Sequence, residues 1–321
     1  MTEQRLTEFR PKRTHIVVRW IQAPLHWLEG LSNRQFGIAL LLPATIMVVA
    51  LYAYPLLFSI IGSFQDRDPF GGASPFVGLD NYRRILSTPE FWAAFKNDLV
   101  YAGSTVLLQL LVGSGVALLL QQKFRGNLIA RTMVILPYVM APVGTALVWK
   151  WLLNDILGLA NFILIKSGLI GHPIAFLGDR NWAMATVIGI SVWKFFPFVT
   201  ICVLARLETI PGELYDAAKV DGAGTVSRFI YVTLPQLRGV LFIVLLLRSI
   251  WMFNSFEMIW LLTQGGPLGY TKTLPIYIYE KALLGAFEVS YGMAGTMLML
   301  LFLIVVAAVY FRVYKVEEEI A

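Results

Sequence analysis

The residue types that build catalytic centres are sparse here and badly spaced for that work. Three histidines (His15, His26, His172) are scattered, and Cys202 is the single cysteine. No metal-ligand spacing and no internal disulfide can be assembled from them. The dipeptide Gly-Lys occurs nowhere, so the chain carries no Walker A loop to cradle phosphates. What remains is a small set of polar residues inside long apolar stretches: Lys194, Arg248, Asn254, Ser255 and Glu257, with Trp193, Trp251 and Phe253 beside them. No nucleophile–base pair can be built from this set, so its chemistry is non-covalent. The polar groups can hydrogen-bond a solute while the rings stack on its apolar face, or they can brace one helix against another. Arg248 and Ser255 are about two helical turns apart and share a face. By the same periodicity Glu257 falls about 180° from Arg248, which excludes an intrahelical pair. Lys150, near the end of its apolar run, reads as an anchor snorkelling to an interface.

The elements that must hold these residues follow from composition. Of 321 residues, 57% are hydrophobic and 14% are charged; mean hydropathy is +0.68. Soluble domains carry roughly a quarter charged residues, so this chain cannot cover a water-exposed surface, and it is far too apolar to be disordered. Charges are absent between Arg34 and Asp66, between Asp98 and Lys123, and between Glu288 and Arg312. Each gap exceeds the roughly 20 residues a helix needs to cross a bilayer. Six spans are predicted, at 36–62, 99–121, 132–153, 183–204, 239–262 and 293–314. The runs lack the alternation of a lipid-facing barrel. The fold class is thus an all-α membrane protein.

Lys and Arg concentrate in the N-terminal segment, in the second and fourth connections, and in the tail, with fewer in the alternate set. That bias places both termini in the cytoplasm. Trp92, Trp149, Trp151, Trp182 and Trp260 fall near the opposite ends, where an aromatic belt belongs. The net charge of +6 is therefore a topology signal, and nucleic acid is not an expected partner. The first apolar run is too long for a secretory signal and is expected to stay as a span. Residues 15–27 fit either an amphipathic helix on the inner leaflet or an irregular extension. Pro43, Pro55, Pro137, Pro142 and Pro197 fall inside spans and favour kinks. Gly113 with Ala117, and Gly292 with Thr296, have the spacing for close helix contact.

The connection between the fourth and fifth spans is unusual. Pro211 suits a first helical turn, Glu213 and Asp216 favour its start, and Gly222 can stop it. A second short helix is expected from about Gly224 to Tyr231, with Pro235 setting the angle back into the membrane. Two short helices across the span ends would make a docking knob; an ordinary structured loop is the other reading.

This segment resembles the EAA loop of binding-protein-dependent ABC importer permeases. Its matching positions are Asp216, Ala217, Ala218, Gly222, Val232, Leu234 and Pro235, with Asp for the usual Glu and Val for the usual Ile. Four further blocks resemble the carbohydrate-uptake branch in order and spacing: Phe76–Leu86, Gly158–Asn161, Phe253–Phe256 and Leu262–Pro267. The resemblance implies a type I ABC importer permease fold, with cytoplasmic coupling helices that seat in a separate ATPase. It assigns ATPase coupling to Asp216, Ala217, Ala218, Gly222, Leu234 and Pro235. The substrate pathway would use Asn254, Ser255, Glu257, Trp193, Trp251 and Phe253. Arg248 and Lys194 read as braces of the bundle or the subunit interface, a preference that an anionic substrate such as a sugar phosphate would overturn. The domains implied are a cytoplasmic extension at 1–35, a permease domain at 36–315 with its coupling loop at 206–238, and a cytoplasmic tail at 316–321. The expected cargo is a sugar or sugar-like polyol. The implied partners are a second, homologous permease forming a heterodimer, two ATP-binding subunits, an external solute-binding protein facing segments 65–95 and 263–290, and the bacterial inner membrane. No cofactor is expected on this chain, since ATP and Mg belong to the ATPases. An ion-gradient-driven secondary transporter with Glu257 as its ion site is the alternative.

Overall fold

A computed structural model describes residues 32–68, 72–122, 124–285 and 287–318, with side chains as far as 313. The expected segment at 15–27, the rest of the extension up to residue 31, and residues 319–321 of the tail expected at 316–321 lie outside it. The described residues are helical apart from loops and one antiparallel bridge between Gln65 and Phe76. Five helices are long and apolar enough to cross a membrane, or six if one bent pair counts as a single span. They are α1 (Asn33–Ser63), α3 (Pro89–Gln121), α7 (Ala183–Glu208), α9 (Thr225–Phe253) and α12 (Val289–Val313), and the bent pair is α4 (Asn127–Val139) with α5 (Pro142–Leu152). Shorter helices are α2 (Asp80–Ser87), α6 (Leu159–Lys166), α8 (Gly212–Val220), α10 (Glu257–Thr263) and α11 (Leu274–Tyr279).

The chain divides into two compact units at Ser59 and Ile60. The first contains most of α1, whose residues from Asn33 to Ala53 are all unburied. Its start is fixed by Ser32 and Gln35, which each accept from the other's backbone N–H in a capping box. A π-helical turn at Val49–Ala53 precedes Pro55. Proline cannot donate to the carbonyl four residues back, and the wider turn absorbs that missing bond.

The second unit is built on α3 packed along α7. Gly113 is the point of closest approach. A Cβ there would stand 2.6 Å from Val199 Cβ and 2.9 Å from the Phe196 main-chain oxygen. The Thr200 hydroxyl donates across the same gap to the Gly113 oxygen at 3.1 Å. Ala117 is fully buried beside it, as its spacing from Gly113 predicts. Gly292 plays a similar part, because a Cβ would meet Ala282 Cβ at 2.5 Å.

Several boundaries differ from the charge pattern. The second span starts at Pro89, nearly three turns before the expected residue 99, and carries Asp98 fully buried within it. The third span breaks between Val139 and Pro142, and its halves meet at 96°. The fifth span, expected to run through 239–262, is interrupted at 254–256. The expected separate helix over 224–231 is instead the first part of α9. The chain stays helical from Thr225 through Pro235, with a π-helical turn at Phe229–Thr233. That π-helical turn precedes Pro235, as the one at Val49–Ala53 precedes Pro55, and absorbs the bond its missing N–H cannot make.

Candidate functional site

The breaks in the third and fifth spans meet at one cavity of about 560 Å³. Tyr138 and Pro142 contribute from the third span, Phe195 from α7, and Arg248, Trp251, Met252 and residues 254–258 from the fifth. Non-helical backbone is tolerated at membrane depth only where protein or a cavity surrounds it. Asn254 ends α9 and donates from Nδ2 to the Ile250 oxygen at 2.8 Å. Its amide oxygen accepts no bond among the described residues. The Ser255 hydroxyl meets Tyr101 Oη at 3.2 Å, and Tyr101 meets Ser191 Oγ at 2.9 Å.

The expected pathway residues separate here. Asn254, Ser255, Glu257 and Trp251 line the cavity; Phe253 and Trp193 do not. Phe253 is 3% exposed and packs on Phe302 with ring centres 4.7 Å apart. The Trp193 ring lies edge-on to Trp149 at 5.4 Å. Glu257 joins Arg248 at the cavity, although helical periodicity placed the two on opposite faces. The unwound turn at 254–256 resets that phase.

Both expected braces are buried, Lys194 at 2% and Arg248 at 1% exposure. Lys194 Nζ donates to the main-chain oxygens of Met140 at 2.6 Å and Pro137 at 3.4 Å. These are carbonyls at the C-terminal end of α4, where a cation also complements the helix dipole. Arg248 differs. Its Nε donates to Gln109 Oε1 at 2.7 Å and its Nη2 contacts Met252 Sδ at 3.4 Å. The guanidinium carbon lies 4.8 Å from the Phe195 ring centre and 5.5 Å from that of Trp251. Gln109, which the sequence did not mark, is fully buried. An isolated amide in an apolar run was the available signal for it.

At the 206–238 connection, α8 begins after Pro211 and ends at Val220, with Asp221 as its C-cap. Gly222 adopts φ +78°, a conformation L side chains rarely take. Its N–H donates to the Lys219 oxygen, and the Ala223 N–H donates to that of Ala218. None of α8 is buried, and Ala217, Leu214 and Val220 are exposed. Tyr215 Oη and Thr233 Oγ1, 3.1 Å apart, tie α8 to the base of α9. Asp216 accepts from Lys219 Nζ at 2.7 Å, and this bond holds its carboxyl below the usual range. Leu234 and Pro235 lie in α9, also exposed.

Residues 109–316, which contain both the cavity and α8, match the family model of the binding-protein-dependent transport system inner membrane component. The chain belongs to that family. The sulfoquinovosyl glycerol transport system permease protein of Agrobacterium fabrum is 31% identical over 96% of this chain and all of its own length. The trehalose/maltose transport system permease protein of Thermococcus litoralis is 33% identical over 89% of this chain and 95% of its own. The crystal structure of a bacterial ABC transporter importing the acidic polysaccharide alginate has a chain that superposes with a TM-score of 0.77, at 24% identity, over 93% of this chain and 98% of that one. That likeness concerns the fold. As a permease of this family, the chain is a multi-pass inner-membrane transport subunit and not an enzyme. Its partners are a second permease, ATPase subunits and an external solute-binding protein.

Proposed function

We propose that this permease moves a sugar or sugar derivative through the cavity at residues 254–258, driven by ATPases docked on α8. The observation that carries the reading is the meeting of two interrupted spans at one polar-and-aromatic cavity. Asn254, Ser255 and Glu257 supply hydrogen-bonding groups for hydroxyls, and Trp251 supplies a ring for the apolar face of a pyranose. Trehalose/maltose and sulfoquinovosyl glycerol in the names of its relatives point to the same cargo class.

The finer architecture belongs to the same reading: six spans in a type I fold, both termini in the cytoplasm, and the domain limits 1–35, 36–315 and 316–321. Coupling runs through Asp216, Ala217, Ala218 and Gly222 on α8 and its stop, with Leu234 and Pro235 at the base of α9. An exposed helix centred on alanines lets a partner's backbone approach closely, and Tyr215 transmits its displacement to α9. The solute-binding protein meets the opposite face, at 65–95 and 263–290. There Asn97 Nδ2 ties the loop by donating to the oxygens of Gly269 and Lys272.

Vesicles holding both permeases and the ATPases test this directly. Maltose or another sugar should accumulate only when the binding protein and ATP are both present. Accumulation without ATP under an imposed proton or Na⁺ gradient would favour the ion-coupled alternative.

A further inference from the structure

We propose that the transported sugar carries a fixed negative charge and that Arg248 receives it. This deepens the function proposed above and rests on it. The chemistry shared by the candidates is an oxyanion, whether carboxylate, sulfonate or phosphate, attached to a sugar.

Arg248 is the least expected residue on the cavity wall. A buried guanidinium is costly unless paired, yet no carboxylate among the described residues forms an ion pair with it. It has five N–H donors in a planar fork. Its acceptors are one amide oxygen, on Gln109, and one thioether sulfur, on Met252. Nη1 has no acceptor among the described residues, and Arg248 borders the cavity. Gln109 is fixed in turn, since its Nε2 donates to the Ser191 oxygen at 3.3 Å. The rings of Phe195 and Trp251 hold the fork without consuming its donors.

Lys194 shows what a brace in this bundle looks like, for its charge is spent on the main-chain oxygens of a broken helix. Arg248 bonds no main-chain oxygen among the described residues. Its position is held by a neutral amide that leaves the positive charge uncompensated. Glu257, the carboxylate on the same wall, is exposed and turned to no cation within ion-pair distance among the described residues, so it stays available to hydroxyls. A planar, always-charged fork in a low-dielectric cavity suits a two-oxygen anionic group, in either one- or two-bond geometry. A neutral sugar would leave this charge unsatisfied at every passage.

The test uses the complete transporter in vesicles, with its binding protein outside and ATP inside. D-glucuronate, glucose 6-phosphate and a sulfonated glucose are offered against D-glucose and maltose. The wild type should accumulate one of the charged sugars in preference to the neutral ones. In Arg248→Met the ratio of charged to neutral uptake, read in the same vesicles, should fall about tenfold, as expected for one lost charge-assisted hydrogen bond. Arg248→Lys should retain most of the ratio. Because the binding protein is unchanged, a shift in ratio belongs to the permease, and because it is a ratio it is insensitive to yield. If Arg248→Met fails to assemble with the ATPases, Arg248→Gln replaces it. Preference for a neutral sugar, or an unchanged ratio in the variant, overturns the proposal while leaving sugar import standing. Accumulation of no sugar overturns both.

Discussion

Lys194 Nζ lies 2.6 Å from the main-chain oxygen of Met140, so a buried ammonium on one span completes the hydrogen bonding of another span where it breaks. The third span cannot run straight, because Pro142 has no N–H and its ring obstructs the turn before it. The freed carbonyls lie too deep for water. Lys194→Met should therefore destabilise the assembled transporter by about 1.5–3 kcal/mol, the range for a hydrogen bond to a charged group. Thermal unfolding in detergent measures this, and Lys194→Arg should recover part of it. An unchanged melting temperature in Lys194→Met would remove the brace from the account.

Gly113 has no room for a side chain. Gly113→Val puts atoms where Val199 and the Phe196 oxygen already stand, so α3 and α7 must separate. Overpacking of this kind costs about 1–3 kcal/mol. At Gly103, on the same helix, an added Cβ would meet nothing within 4 Å, so Gly103→Ala should leave stability unchanged or slightly raised. Comparing the two variants by thermal unfolding distinguishes a specific contact from a general intolerance of the helix.

Ala218→Arg and Gly222→Asp should abolish uptake while the permease still inserts and folds. A Cβ at Gly222 meets nothing within 4 Å, so substitution there strains only the backbone within this chain. Gly222→Asn should be the mildest change, since asparagine tolerates the left-handed region best after glycine. Loss of uptake with retained membrane abundance is the expected result, and normal accumulation in Ala218→Arg with all partners present would count against docking at α8.

The Asp216–Lys219 pair is exposed, so its removal should change transport more than stability. The Asp216 carboxyl is held below its ordinary value. Its contribution is therefore present above the ordinary aspartate pKa and fades as pH falls through the lowered one. Between pH 6 and 8, roughly the physiological window, the Asp216 contribution is constant, and because the pair is exposed Asp216→Asn should lower the melting temperature only slightly and by the same amount throughout. A pH-dependent melting difference across that window would contradict this.

Asn254→Ala should weaken apparent solute affinity by about tenfold, the worth of one hydrogen bond left unmade in a cavity. Its Nδ2 bond to Ile250 lies within its own helix end, so folding should be nearly unaffected. Concentration-dependent uptake separates this outcome from a fall in the maximal rate alone.

Charge-free runs were enough to reveal α1, α3 and α12, because hydrocarbon disfavours charge whatever the neighbours are; α7 and α9 had to be read through Lys194 and Arg248. Within 206–238, the separate helix expected from Gly224 was not legible, because that segment runs on into α9. In contrast, α8 was legible because Pro211 and Gly222 act locally, through φ and a missing N–H, and both fall at its ends as their chemistry requires. Gly113 with Ala117 was legible for the same reason, since small size is a property of the residue. The interruptions were not. The fifth span contains no proline between Arg248 and Glu257, and helical periodicity assumes a helix that continues. The break at 254–256 lies where Ser255 meets Tyr101 and where Glu257–Thr263 packs on Pro142–Leu152 of the broken third span, contacts that no local pattern encodes. That single turn moved Glu257 onto the wall beside Arg248, while Phe253 stayed in the core. Gln109 was likewise silent until α9 placed a guanidinium against it. Local rules determined which residues could cross the bilayer and which turns could form; which polar groups share one cavity depended on contacts between spans far apart in the chain, and those exist only once the bundle has closed.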